Sequence, residues 1–311
     1  MDKIEKDLLL QIADLHKIPE GAFNIRENGK PLKRNSTAEI EIVPKKDKSG
    51  IDIYVKPNVK NKSVHIPVII TTGGIKDLVY NDFYIGENSE VTIVAGCGIH
   101  NATNLNSEHN GIHSFHLGKN CVVTYIEKHL GVGNGMGEKV LNPVTNIVME
   151  ENSTFTMETT QLGGVSSSVR TTKAKLFDNA KLIIKEKILT TKNQTAKTKF
   201  DVNLIGKGSS VDVISRSVAK DNSYQNFYSA VKGKAECFGH VACDGILVGN
   251  ARIDSTPKIV CENVEATLVH EAAIGKIAGE QLTKLMTLGL NEEEAENLII
   301  KGFKKKKKIW F

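Results

Sequence analysis

The sequence predicts a mainly β protein: a right-handed parallel β-helix with a helix at its N-terminal end and a helical segment at its C-terminal end. Three observations predict it. A turn-plus-strand element recurs, with Asn88, Asn120 and Asn152 standing 32 residues apart each time. Apolar residues alternate with period two from about residue 39 onward for more than two hundred residues, as in strands whose successive side chains face opposite ways. Helical spacing is confined to the first twenty residues and to the stretch after His270.

Residues 1–38 form the predicted N-terminal helical segment, because Ile4, Leu8, Leu9, Ile12 and Leu15 fall on one helical face. The strand core is expected over 39–269. Its repeats read Glu87-Asn88-Ser89-Glu90-Val91, Lys119-Asn120-Cys121-Val122-Val123 and Glu151-Asn152-Ser153-Thr154-Phe155, with weaker copies at Asp178-Asn179-Ala180 and Lys207-Gly208-Ser209 after 27 and 29 residues. Repetition at this period predicts a solenoid whose coils bury a core only by stacking. Asn and Gly accept a left-handed backbone at low cost, so one per repeat marks the corner of each coil. An antiparallel sandwich would also alternate, but with hairpin turns about every eight to twelve residues. The near-constant period favours the solenoid.

The C-terminal helices are expected over 270–303, divided at Gly289, with Asn291 capping the second and Glu292, Glu293 and Glu294 facing the positive end of its dipole. Such helices cover a solenoid's edge or present a docking surface. A basic tail, 304–311, follows.

The chain has 311 residues, enough for one large core, and no Pro/Gly/Ser-rich stretch divides it. Its net charge is +5, and Lys304 to Lys308 account for all of it. The body therefore offers no basic face for nucleic acid. No apolar run is long enough for a membrane span. Five cysteines, Cys97, Cys121, Cys237, Cys243 and Cys261, with no secretory leader read as reduced thiols in a cytoplasmic protein. No CxxC pair is present, so no ribbon-type zinc site or ferredoxin-type loop is predicted.

Two constellations could carry chemistry. The first is a His-rich loop from Cys97 to His129, containing His100, His109, His113, His116 and Glu127. Thiolate and imidazole are zinc and iron ligands, although Gly, Asn, Ser and His also make ordinary polar loops. The second joins Cys243-Asp244-Gly245 to His270-Glu271, placed where the last strand runs into the first C-terminal helix. Cys243 and His270 are 27 residues apart, close to one coil, so adjacent coils could bring them together. Thiolate, imidazole and carboxylate form an iron ligand set. A buried cysteine acting as a small hydrophobe and a His-Glu helix cap explain the same residues.

The segment from Ala242 to Phe303 resembles the C-terminal core of SufB/SufD proteins. The resemblance is carried by Cys243-Asp244-Gly245-Ile246-Leu247-Val248-Gly249, Pro257-Lys258-Ile259-Val260-Cys261-Glu262-Asn263, His270-Glu271-Ala272, Gly279-Glu280-Gln281-Leu282, and the helical end Gly289 to Ala295 closing in Lys301-Gly302-Phe303. It implies a β-helical, non-enzymatic scaffold on which iron-sulfur clusters are assembled and passed on. Cys243 and Glu271 match the family's cluster-ligand candidates, with His270 beside them. The partner implied is a SufC-like ABC ATPase docking on the C-terminal helices, consistent with the absence of a GxxxxGK[ST] phosphate loop here.

The resemblance also implies a homodimer, or a heterodimer with a paralogue, joined through the β-helix edge near the cysteine end. A sulfur donor, apo-protein acceptors and a reduced flavin in the complex complete the expected partners. The cysteine that some members carry before the central coil is replaced by Val148-Met149. The competing expectation is a zinc- or iron-dependent hydrolase using the Cys97–His129 segment. A carbohydrate-active or acyl-transferring β-helix is disfavoured by the lack of hexapeptide repeats and by 5% aromatic content.

Overall fold

The computed structural model describes residues 2–305. Helix α1 (Lys3–Ala13) opens the chain, fixed by a reciprocal cap in which the Asp2 carboxylate accepts from the Glu5 amide and the Glu5 carboxylate from the Asp2 amide. Leu8, Leu9, Ile12 and Ala13 are its buried face. Asp14, in left-handed conformation, ends it.

The expectation of helix over 1–38 is thereby corrected, for strands β1 (Ala22–Glu27) and β2 (Lys30–Asn35) fill the second half of that segment. The reason is local. Asn28 (φ 47) and Gly29 (φ 78) occupy the two left-handed positions of a hairpin turn, whose twist suits antiparallel strands.

From there the chain winds as a parallel β-helix with two strands per coil. One ten-stranded sheet contains β2, β1, β5 (Lys62–Ile70), β7 (Glu90–His100), β9 (Val122–Val132), β12 (Thr154–Gly163), β14 (Lys181–Thr190), β16 (Ser210–Ala219), β18 (Cys237–Leu247) and β20 (Ala266–Lys276) in that order. The other runs from β3 (Ile40–Pro44) through β4 (Gly50–Val55), β6 (Lys76–Ile85), β8 (Ser107–Leu117), β10 (Lys139–Leu141) with β11 (Val144–Met149), β13 (Ser167–Leu176), β15 (Thr195–Leu204) and β17 (Tyr224–Gly233) to β19 (Arg252–Cys261). Pro143, which has no amide hydrogen to give the ladder, separates β10 from β11. Neighbouring strands are parallel except at the first hairpin and at β3–β4.

Alternate residues of every coil point into a common core, where Phe83 stacks on Phe115 at 4.3 Å between ring centroids and Phe155 packs against Phe115 at 5.0 Å. The predicted corners are present. Asn88, Asn120, Asn152 and Asn179 all have φ between 54 and 59, and Gly208 stands at φ 70 in the next copy. Each asparagine amide reaches the following coil: Asn88 N–H donates to the Lys119 carbonyl and Asn120 N–H to the Glu151 carbonyl. Their side chains form a ladder, Asn120 Nδ2 donating to Asn88 Oδ1 at 3.0 Å and Asn152 Nδ2 to Asn120 Oδ1 at 3.3 Å.

The strand core does not stop at residue 269. β20 continues to Lys276, and helices α2 (Gly279–Met286) and α3 (Glu292–Lys305) follow. Asn291 caps α3 as expected, its side chain accepting from the Glu294 amide at 2.9 Å. α3 is tied to the solenoid by Lys220–Glu296 at 2.7 Å and by buried Ala295 and Ile300. α2 buries none of its residues. The basic tail begins within α3 and beyond Lys305 lies outside the described residues. Among those residues no helix is long and apolar enough to cross a membrane.

The corner ladder generates a prediction. Asn120→Ala forces an alanine into the left-handed region and removes two ladder bonds, which should lower stability by about 1–2 kcal/mol; Asn120→Gly, with no Cβ clash, should lose less. Urea midpoints of the two variants check the order.

Candidate functional site

The last two coils carry the second constellation. Cys243 lies on β18, wholly buried in the core, and burial pushes its thiol up to about 11. In the register of β18 with β20, Cys243 is opposite Ala272 and Val241 is opposite His270. Side chains two apart on a strand share a face, so Cys243 and His270 stand on the inner face of adjacent strands, one step apart. His270 Nε2 is buried and has no hydrogen-bond partner among the described residues. Burial, and secondarily the neighbouring His240, lowers the His270 pKa.

Glu271 is opposite Ala242 and therefore faces the other way. The expected position of His270 and Glu271 at a helix start is corrected: they are mid-strand in β20, and alternation sends them to opposite sides of the sheet. On the outer side Glu271 meets two residues that the sequence reading did not select. His240 Nδ1 lies 2.8 Å from Asp212 Oδ1, and His240 Nε2 lies 3.8 Å from Glu271 Oε2. With Phe238, Val269 and Lys181 these residues line a groove of about 480 Å³.

The first constellation is not a loop. Cys97 and His100 are on β7, His109, His113 and His116 on β8, and Glu127 and His129 on β9. Alternation divides them: Cys97, His109, His113, Glu127 and His129 point into the lumen, whereas His116 is exposed and stacks on Tyr84 at 5.1 Å. His100, at the end of β7, is also off the inner row.

The inward group lines a cavity of about 10 Å³, room for a single water. Each imidazole in it already has protein partners. His109 Nδ1 is 3.0 Å from Asp77, which also holds Arg26 at 2.9 Å; His113 Nδ1 is 2.8 Å from the Tyr125 hydroxyl; His129 Nε2 is 3.3 Å from Glu127. Arg170 crosses the lumen to donate to Glu127, and Glu186 accepts from Thr198 and Ser215 at 3.0 and 2.8 Å.

Burial alone would raise the Glu127 carboxyl, but Arg170 and His129 hold it well below the ordinary carboxylate range. Burial pushes the Cys97 thiol well up, with Asp77 and Glu127 adding to it. Among the described residues no group of three or more His, Cys, Asp and Glu assembles to hold a metal. Within one chain, therefore, neither Cys97, His100, His109, His113 and His116 nor Cys243, His270 and Glu271 converge as a finished centre.

Spacing could have identified Asp212 and His240, which are 28 residues apart and hence one coil apart. Nothing in the spacing pointed to Arg26, Tyr125 or Arg170, whose contacts cross the lumen.

Burial drops the His113 pKa from 6.5 to about 4. Between those values the unfolded chain binds a proton there that the folded chain does not, so stability falls as pH drops through this window. His113→Asn should flatten that fall by roughly 3 kcal/mol between pH 7 and 4, read from urea midpoints at each pH.

Comparison with known proteins adds to this geometry. Residues 80–303 match the model of the SufBD core domain of the SUF system for FeS cluster assembly. An iron-sulfur cluster assembly SufBD family protein of Methanocaldococcus jannaschii is 29% identical over 259 residues, 80% of this chain and 79% of the relative. One of the same description from Pyrococcus horikoshii is 28% identical over 86% of this chain and 82% of its own length. A second from that organism is 31% identical over 82% of this chain and 56% of its own length. A parallel β-helix whose residues 80–303 match this family's core domain belongs to the SufBD family of iron-sulfur cluster assembly proteins.

Proposed function

We propose that the chain is a scaffold on which iron-sulfur clusters are built and from which they are handed to apo-proteins, rather than an enzyme. The observation that carries this reading is the presence of Cys243 and His270 on the inner face of the adjacent strands β18 and β20, in the last two coils. Thiolate and imidazole suit iron. A thiol raised by burial gives up its proton when a metal binds, so iron uptake and deprotonation of Cys243 are coupled.

A cluster needs more ligands than one chain brings together, and a second copy or a paralogue would supply them across the edge of β19 and β20. That edge supports the reading: Val264 is 98% exposed, and Ile259 and Val269 are also exposed. Unpaired strand edges with apolar residues favour pairing with another chain. Cys243, His270 and, after rotation about the edge, Glu271 of both copies would then surround the cargo.

The C-terminal helices supply the second contact, to a SufC-like ABC ATPase. Leu288 is 75% exposed, and Met286 and Leu298 of the same helical segment are also exposed. Movement of the ATPase would open and close the dimer edge. A sulfur donor of the reducing cytoplasm delivers sulfane-level sulfur, and two electrons from a reduced flavin in the complex bring it to sulfide. The hydrolase reading lacks support from the Cys97–His129 segment, whose inward residues surround space for one water and none for a substrate.

Anaerobic reconstitution with iron and sulfide tests the reading. Wild type and Cys97→Ser should develop charge-transfer absorption with bound iron, and Cys243→Ser should lose both. Failure of the wild-type protein to take up a cluster would sink it. Leu288→Asp should weaken binding of the ABC ATPase by roughly thirty-fold, about 2 kcal/mol, measured by calorimetry.

A further inference from the structure

We propose that the groove on the outer face of the last coils is the docking site for a segment of this same chain, Ile309-Trp310-Phe311, which lies beyond the described residues and follows α3. Seated there, the segment straps α3 to the final strands. The proposal does not depend on the scaffold reading.

Three observations carry it. The first is the groove. Ile183 of β14, Asp212 of β16, His240 of β18 and Val269 of β20 stand in one row on the outer face, with Phe238 one step before it. The polar members of this wall are already engaged, His240 with Asp212 at 2.8 Å and Glu271 with His240 at 3.8 Å. What stands open is apolar: Phe238 is 49% and Val269 39% exposed, with Ile183 half-buried beside them. The space of about 480 Å³ falls within the range of roughly 300–1,000 Å³ that encloses a drug-sized ligand.

The second is the course of α3. Glu296 is fixed to Lys220, just past the end of β16; the outer residues of that strand nearest to it, Val218 and Arg216, are buried, whereas Asp212 further back is not. Cover over β16 thus runs from its end toward its start and stops where the groove begins. From Lys220 back to Asp212 is eight residues of strand, about 26 Å. Nine residues of helix from Glu296 to Lys305 advance about 14 Å, and the six that follow reach up to about 20 Å further. The segment is long enough to fill the groove.

The third is the chemistry of the segment. Ile309, Trp310 and Phe311 are consecutive large apolar residues, and removing aromatic surface from water is a strong drive to dock. Tethering adds to it. A segment joined to α3 by a few residues is present at the groove at an effective concentration of about millimolar, which favours it over a free partner with like contacts. Docked, it anchors α3 at the end opposite Asn291 and covers the apolar patch that the strands leave open.

Trp310 is the only tryptophan of the chain, so its fluorescence reads the docking directly in the full-length protein. In the folded wild type the emission should be blue-shifted from that of the urea-unfolded chain and shielded from acrylamide, at every protein concentration. Phe238→Asp and Val269→Asp should each move the emission toward that of the unfolded chain and raise the quenching. Val264→Asp, in the exposed turn between β19 and β20, should leave both unchanged. Circular dichroism establishes that the variants are folded, and all three substituted side chains are exposed, so the core is not disturbed. The proposal is overturned if the folded wild type emits like the unfolded chain, if neither groove variant alters the emission, or if Val264→Asp alters it equally. It is also overturned if the blue shift disappears on dilution, which would place the segment in the groove of a second copy. Absent cluster uptake with iron and sulfide counts against the scaffold reading alone.

Discussion

Stacking of parallel coils in register is the constraint on which every other feature of this molecule depends. Each strand satisfies its backbone groups on the strands one coil before and one coil after, so residue positions repeat along the axis with little slippage. Gaps in this ladder occur where a residue cannot take part, as at Pro143. Register also decides chemistry, because it sets which side chains from distant parts of the chain become neighbours. Asp212, His240 and Val269 form a row on one face because β16, β18 and β20 stack in step, with Glu271 two residues further along the same face. Cys243 and His270 share the opposite face for the same reason.

The same constraint accounts for the polar interior of the middle coils. Unlike side chains stack at the inward positions there, as Asp77 beside His109 and Cys97 beside His129, so that Arg26, Asp77, His109, Glu127, His129, Arg170 and Glu186 are buried among aliphatic residues such as Ile66 and Val68. Burying charges this deeply carries a large desolvation cost unless partners answer each one. Arg26 answers Asp77, and Arg170 answers Glu127 with Glu186 nearby. Shape-specific pairs of this kind tolerate little shift between coils, so they hold in place the register that the backbone ladder creates. Aromatic stacking of Phe83 on Phe115 does the same at the apolar positions.

Periodicity made part of this visible before any coordinates. The corners were legible because Asn88, Asn120 and Asn152 are the residue type that a left-handed turn favours, at the spacing a coil demands. The capped start of α3 was legible from Asn291 and the three glutamates. The one-coil separation of Cys243 and His270 was legible as spacing, which puts them on adjacent strands, with Ala272 rather than His270 opposite Cys243. Glu271 was misplaced because a His-Glu pair near a helical stretch looks like a cap, while the strand pattern actually runs on to Lys276. The first hairpin was hidden behind the helical spacing of α1, although Asn28-Gly29 is a strong turn pair. Contacts across the lumen, such as Glu127 with Arg170 at 43 residues, follow no period and had no sequence signature.

The two ends of the solenoid are not equivalent. At the first end, α1 packs on the sheet, and the outermost strand β2 runs antiparallel with Lys30, Pro31, Lys33 and Arg34 along it. Charge and proline blunt an edge against further pairing. At the far end β19 carries Pro257 and Lys258 in the same way, whereas β20, the last strand of the other sheet, contains no proline and presents an exposed Val269. A rod that is adhesive at one end only cannot grow head to tail. Contact confined to the far end would join two rods and then stop, whereas contact between unlike ends would add rods without limit, so which edge meets a copy decides between a pair and a filament.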